Sequence, residues 1–152
     1  MATPAVLRNL QTGEEYRFPF NPDELDEVNS AVWQQLEAPG QMVPGQVWVR
    51  GEPIELTVSF LVDGYDTDED ARDLTDVLYR WWAPAVEGSA PPELLFVYAS
   101  VRLPCVLVRL RRRWTLFHAD GRPARAEVEL TLRQCDVIDR ARRHHPQASP
   151  RQ

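Results

Sequence analysis

The chain has 152 residues, of which 43% are hydrophobic, and a formal net charge of −6. This length and apolar content predict one domain with a sizeable core and exclude a disordered chain. The acidic balance argues against nucleic acid as the primary partner, and no apolar run approaches the ~18 residues that a membrane-spanning helix needs.

The first residues predict a β-hairpin. Residues 6–10 and 14–18 read as short strands around Thr12-Gly13, and Gly13 supplies a positive φ at the turn. The second strand ends at Asn21-Pro22, where the residue before proline is driven toward an extended conformation. Residues 23–40 leave two interpretations open, a loop or a short helix that ends at Pro39-Gly40.

The middle of the chain predicts two strands and a helix. Residues 46–50 read as a strand, and apolar residues alternate strictly from Ile54 to Val62. A helix follows to Trp82, with apolar residues on one arc and a start that Thr67 or Asp66 can cap. Pro84 is expected to stop it.

The second half predicts antiparallel strands. Residues 94–98, 105–110 and 113–117 read as strands, and Asp120-Gly121 marks a hairpin into the alternating residues 124–133. The fold class is therefore mainly β, sheet packed on sheet, with one amphipathic helix against it. We expect the domain to cover residues 1–138 and residues 139–152 to form a flexible basic tail.

The order of these segments resembles the tube-like domain family of contractile injection systems. The resemblance covers roughly residues 5 to 134 and rests on the ordered set, since no single piece is specific. Its segments are Asn9–Glu14, Phe20–Leu25, Ile54–Val62, Tyr65–Asp76, Pro91–Tyr98 and Thr115–Ala126.

The resemblance implies a tail-tube-like antiparallel sandwich or barrel and a structural role rather than an enzymatic one. Within the family, the chain looks most like the baseplate component that initiates the inner tube. The implied assembly is a six-fold ring that joins the spike hub to the tube protein among other baseplate subunits. The resemblance also implies that the protein assembles in the cytoplasm and is then incorporated into a phage-like particle, which a cell can release.

Relatives of this kind commonly carry a peptidoglycan-binding LysM module after the tube-like domain, and we expect none here. Peptidoglycan binding is the alternative function, and a cell-wall hydrolase is a more distant one.

Two strands are predicted to line the lumen of that ring. The polar residues that alternate with their apolar positions suit a water-filled channel, and sheet edges are expected to join neighbouring copies. The lumen candidates are Glu55, Thr57, Ser59, Glu127, Glu129 and Thr131. Arg111, Arg112 and Arg113, on an expected strand connection, favour pairing between subunits or simple solvation over a nucleic-acid patch.

The remaining candidate chemistry is weak. Asp66, Asp68 and Asp70 have the spacing that opens a calcium loop, but Ala71 replaces the required glycine and Val77 the final glutamate, so a capped helix start is preferred. Histidines and paired carboxylates form no catalytic constellation. We therefore predict no cofactor and no metal site.

The cysteines and the basic tail complete the sequence predictions. Cys105 and Cys135 lack zinc-ligand spacing and are expected to be free thiols in a reducing cytoplasm. Arg140, Arg142 and Arg143 are predicted to dock the tail on an acidic or baseplate partner.

Overall fold

The computed structural model describes residues 4–22, 24–40, 42–83 and 88–135. It confirms a mainly β fold with antiparallel pairing, and within these residues two short helices replace the single predicted helix. The elements are β1 (Val6–Asn9), β2 (Glu15–Arg17), β3 (Leu25–Val28), β4 (Ala31–Leu36), β5 (Gly45–Gly51), β6 (Glu55–Asp63), α1 (Ala71–Leu74), α2 (Asp76–Trp82), β7 (Leu94–Tyr98), β8 (Val101–Phe117) and β9 (Pro123–Gln134).

Seven strands form one sheet in the order β2-β1-β7-β8-β9-β6-β3, while β4 and β5 form a separate two-stranded hairpin. The longest ladders join β9 to β6 and to β8. The ring centroids of Tyr16 on β2 and Phe60 on β6 are 6.1 Å apart, although four other strands lie between β2 and β6 in the sheet order. The sheet therefore curls until its two ends face each other across the core.

The core lies inside this curl. Phe18 stacks on Phe60 at 4.6 Å between centroids, and Phe96 on β7 closes the cluster at 6.0 Å from Phe18. Leu78 and Trp81 of α2 are buried against the same core. Burying this apolar surface is the main term that holds the fold.

The predicted first hairpin is confirmed, and its turn depends on Asn9 and Gly13. Asn9 Oδ1 accepts hydrogen bonds from the backbone N–H groups of Gln11 and Thr12, and Gly13 has φ +81°. The Asn9 side chain thereby orders the turn in the manner of an Asx motif.

The helix prediction is correct in position but wrong in detail. The helical segment is interrupted at Thr75, whose backbone (φ −116°, ψ 8°) separates α1 from α2. The buried Thr75 hydroxyl donates to the carbonyl of Ala71, a local bond that competes with regular helix. The cap of α1 is Asp70, which accepts from the backbone N–H of Arg72, and not Thr67 or Asp66.

Two strand predictions are also corrected. Residues 23–40, predicted as loop or helix, contain the strands β3 and β4. The two strands predicted in residues 105–110 and 113–117 are parts of the single strand β8, so the three arginines between them do not lie on a connection.

Candidate assembly surface

The polar side of the sheet is the first candidate surface, and we call it the outer face. It is formed by the side chains of β3, β6, β9 and the distal half of β8 that point away from the core. On β6 and β9 every second residue is buried, and the polar residues between them are exposed or half-buried. All six lumen candidates lie here: Glu55, Thr57, Ser59, Glu127, Glu129 and Thr131.

The register pairs four of these six residues with one another, while Glu55 is opposite Arg133 and Glu127 is opposite Leu61. Thr57 is opposite Thr131, and Ser59 is opposite Glu129. The helices do not cover them, because α1 and α2 pack on the core with Ala71, Leu78 and Trp81. A cleft of about 470 Å³ lies over this face, lined by Glu24, Ser59, Phe60, Leu61, Arg111, Arg113, Glu127, Val128 and Glu129.

Ion pairs cross the strands of the outer face. Arg133 contacts Glu55 at 2.8 Å, and Arg125 contacts Asp63 at 3.0 Å. The pKa of Asp63 is lowered, first by the hydrogen bond from the Tyr65 backbone N–H and then by Arg125. Each pair stays partly exposed, so its contribution to stability is small. The charges instead make the face hydrophilic.

A bulge in β8 sets which face of the sheet each of the three adjacent arginines occupies. The register with β9 shifts between Leu107 and Arg109, so the side-chain alternation changes phase around Val108. Arg111 and Arg113 consequently lie opposite Glu129 and Glu127 on the outer face.

Arg112 belongs to the other side of the sheet. Its guanidinium lies 5.1 Å from the ring centroids of both Tyr79 and Trp114, and it donates to the Thr75 hydroxyl at 3.3 Å. Arg112 therefore fastens the helical segment to β8 and does not join its two neighbours in one patch.

Two strand edges border the outer face. Within the described residues, β3 pairs only with β6, and residues 106–117 of β8 pair only with β9, because β7 reaches no further than Cys105. Each edge offers unpaired backbone N–H and C=O groups, which are templates for pairing with another chain.

The β4–β5 hairpin, which we call the arm, is the surface that sequence reasoning missed. Trp33 and Trp48 are paired across its strands and remain 55% and 56% exposed. The turn carries Met42 and Val43, which are 99% and 79% exposed. Residues 46–50 were predicted as a strand and lie in β5, but apolar residues lie on both faces of the arm, so β4 showed neither the helical nor the strand period.

The residues of the calcium-like spacing serve the helix start. Asp70 caps α1 and pairs with Arg72 at 2.7 Å, which lowers the pKa of that carboxyl, while Asp68 pairs with Arg122 at 2.7 Å. In residues 4–135, apart from those the structure leaves undescribed, no cluster of three metal-ligating side chains occurs. His118 Nε2 donates a hydrogen bond to the Glu69 carbonyl, and the His118 ring stacks on Tyr65.

Cys105 and Cys135 are not joined by a disulfide bond. Cys105 is fully buried, and burial raises the pKa of its thiol to about 12. Arg140, Arg142 and Arg143 of the predicted tail lie outside the described residues. Within the described part of the chain, no helix is both long and apolar enough to cross a bilayer.

A curled antiparallel sheet with open edges, a hydrophilic face and an exposed apolar arm is typical of a subunit that assembles with other chains. The chain matches the family model described as "Contractile injection system tube protein" over residues 5–142 and belongs to that family. It is therefore a structural protein of a contractile injection system, with a tail-tube-like role. No curated protein matched the chain.

Proposed function

We propose that this protein forms the ring that initiates the inner tube, at the baseplate, between the spike hub and the first layer of tube protein. The observation that carries the proposal is the outer face bordered by two open strand edges. Family membership supports the tube-like role. The surfaces described above provide contacts between copies around the ring and contacts with neighbouring rings along its axis.

Side-by-side contacts use the two edges. When the β3 edge of one copy continues the sheet at the β8 edge of the next, the four strands β8, β9, β6 and β3 repeat around a closed wall. Six such copies match the hexameric tube above. The outer face then lines the lumen, with Glu55, Thr57 and Ser59 of β6 beside Glu127, Glu129 and Thr131 of β9.

Contacts along the axis use the arm. Its exposed apolar residues include Trp33, Trp48 and Met42, and covering them gains free energy in proportion to the area removed from water. A neighbouring ring, whether of hub, tube or baseplate subunits, provides that cover. The predicted basic tail adds a further contact through Arg140, Arg142 and Arg143.

The position in the particle distinguishes an initiator from a repeating tube subunit. We would co-express the protein with the tube and hub proteins of the same system, purify the particles and count its copies by quantitative mass spectrometry. Six copies per particle, independent of tube length, support the proposal. A copy number that grows with tube length would make this chain the repeating tube subunit instead. Negative-stain imaging of the protein with the hub alone tests whether the ring forms before the tube.

A further inference from the structure

We infer that the charges at the two edges of the outer face allow copies of this chain to join only head to tail, the β8 edge of one copy against the β3 edge of a second. The inference rests on the proposed ring and specifies its contact. It assigns a pairing role to Arg109, Arg111 and Arg113 on one edge and to Glu24 and Asp26 on the other.

The β8 edge is positive on the outer face. After the bulge at Val108, the exposed residues of β8 that alternate on this side begin with Arg109, Arg111 and Arg113. On the β9 side, Glu129 and Glu127 lie opposite Arg111 and Arg113, and Arg113 contacts Glu127 at 3.7 Å. On the other side of these arginines, no described strand is paired with β8, so each guanidinium has one flank free for a second carboxylate.

The β3 edge is negative on the same face. Asp26 is opposite Thr57 of β6, which places it on the outer face, and it is exposed. Glu24 lines the same cleft as Ser59 and is exposed as well. The two edges of the outer face therefore carry opposite charges.

The opposite charges of the two edges favour one kind of contact between copies and disfavour the others. A head-to-tail contact extends the ladder so that β8 arginines lie between carboxylates on both sides, and opposite charges on adjacent strands attract whether they are directly opposite or diagonal. A two-fold contact of β8 with β8 juxtaposes arginines, and one of β3 with β3 juxtaposes carboxylates. Like charges brought together in this way oppose association. Head-to-tail contacts form a ring when the rotation between copies closes, whereas a single two-fold contact stops at a dimer.

Complementary charge reversals test this directly. Variant one carries Arg111→Glu and Arg113→Glu, and variant two carries Glu24→Arg and Asp26→Arg. Each variant presents like charges at both edges, so under conditions in which the wild type forms rings we expect each alone to associate on the order of a hundredfold more weakly. An equimolar mixture restores both contacts and should assemble with the two variants alternating. Native mass spectrometry reads the alternation from the two masses.

The controls separate folding from assembly. Circular dichroism and thermal melting establish that each variant folds. The double variant with Arg17→Glu and Arg102→Glu has the same charge change as variant one at exposed positions away from the distal half of β8, and should assemble like the wild type. If Glu127 and Glu129 destabilise variant one, variant two still gives a test. Mixed with wild type, it should add to growing oligomers by its β8 edge and then block extension at its β3 edge.

The outcomes distinguish this inference from the proposed function. Variants that each form rings like the wild type, or folded variants whose mixture stays monomeric, overturn the charge pairing. A second variant that fails to block wild-type assembly also overturns it. In these cases the ring itself stands. A wild type that forms no ring with its hub and tube partners overturns the proposed function, and the charge pairing with it.

Discussion

Replacing Trp48 by alanine should leave the fold almost unchanged and greatly weaken assembly. Trp48 lies in the arm, opposite Trp33 and away from the main core. A cross-strand aromatic pair stabilises a sheet by about 0.2–1 kcal/mol, so the free energy of unfolding should fall by no more than about 1 kcal/mol. For a chain of this length, that lowers Tm by roughly 2–4 °C.

The effect on assembly follows from exposed area. A tryptophan presents about 250 Å², so the exposed 56% of Trp48 corresponds to roughly 140 Å². Covering this area at about 25 cal/mol per Å² gains about 3.5 kcal/mol, which corresponds to a few hundredfold in the association constant. Urea denaturation of the monomer gives the first quantity, and sedimentation velocity with hub and tube partners gives the second.

The matched control is Tyr65→Ala, because Tyr65 is exposed to a similar extent (54%) but lies on the loop before α1, away from the arm. It should leave assembly unchanged. The reasoning is refuted if Trp48→Ala assembles with wild-type affinity, or if it unfolds the monomer as a core deletion would.

Three further predictions concern the fold. Ala99 has φ +52° in the β7–β8 turn, so Ala99→Gly should relieve left-handed strain and raise the free energy of unfolding by about 0.5–1 kcal/mol, measured by chemical denaturation; an unchanged or lower value contradicts this. Asp70 has a lowered pKa because of Arg72, so it stabilises the fold above the unfolded pKa near 4 and this stabilisation is lost as pH falls through the lower folded pKa. The stability difference between wild type and Asp70→Asn should therefore be constant near neutral pH and shrink in acid, and a difference that grows in acid would have the wrong sign. Cys105, buried and with a pKa of about 12, should react with a thiol reagent at pH 8 only on unfolding, whereas the half-exposed Cys135 should react in the native protein; equal native rates would contradict the burial.

The sequence predicted those strands whose two faces differ. Val58 and Val128 point into the core while Ser59 and Glu127 point out, so β6 and β9 carry the two-residue period of a half-buried strand. The turn at Asp120-Gly121 between β8 and β9 was also predicted, because Gly121 supplies the positive φ that such a turn needs.

Other elements were hidden for physical reasons. The arm is apolar on both faces, so β4 did not show the two-residue alternation of a half-buried strand. The role of the arm depends on partner chains, which this sequence does not contain. The bulge at Val108 shifts the alternation within β8, so residue spacing alone did not show that Arg111 and Arg113 lie on the outer face while Arg112 contacts Tyr79 on the other side. The interruption at Thr75 depends on a hydroxyl bond to Ala71, which residue spacing does not encode.

The candidate surface was predictable only in part. The polar residues of β6 and β9 were found because alternation alone places them on one side. Glu24 and Asp26 were missed as members of the same face, since their place depends on β3 pairing with β6 across thirty residues of chain. The open edges could not be located until the strand order was known.

A cryo-EM reconstruction of the protein assembled with its hub and tube partners tests the central claim most directly. The account predicts a six-fold ring in which β3 of each copy pairs with the distal half of β8 of the next, and in which Ser59, Glu127 and Glu129 face the channel. A reconstruction in which these side chains face the outside of the particle, or in which neighbouring copies meet through other elements, would contradict it.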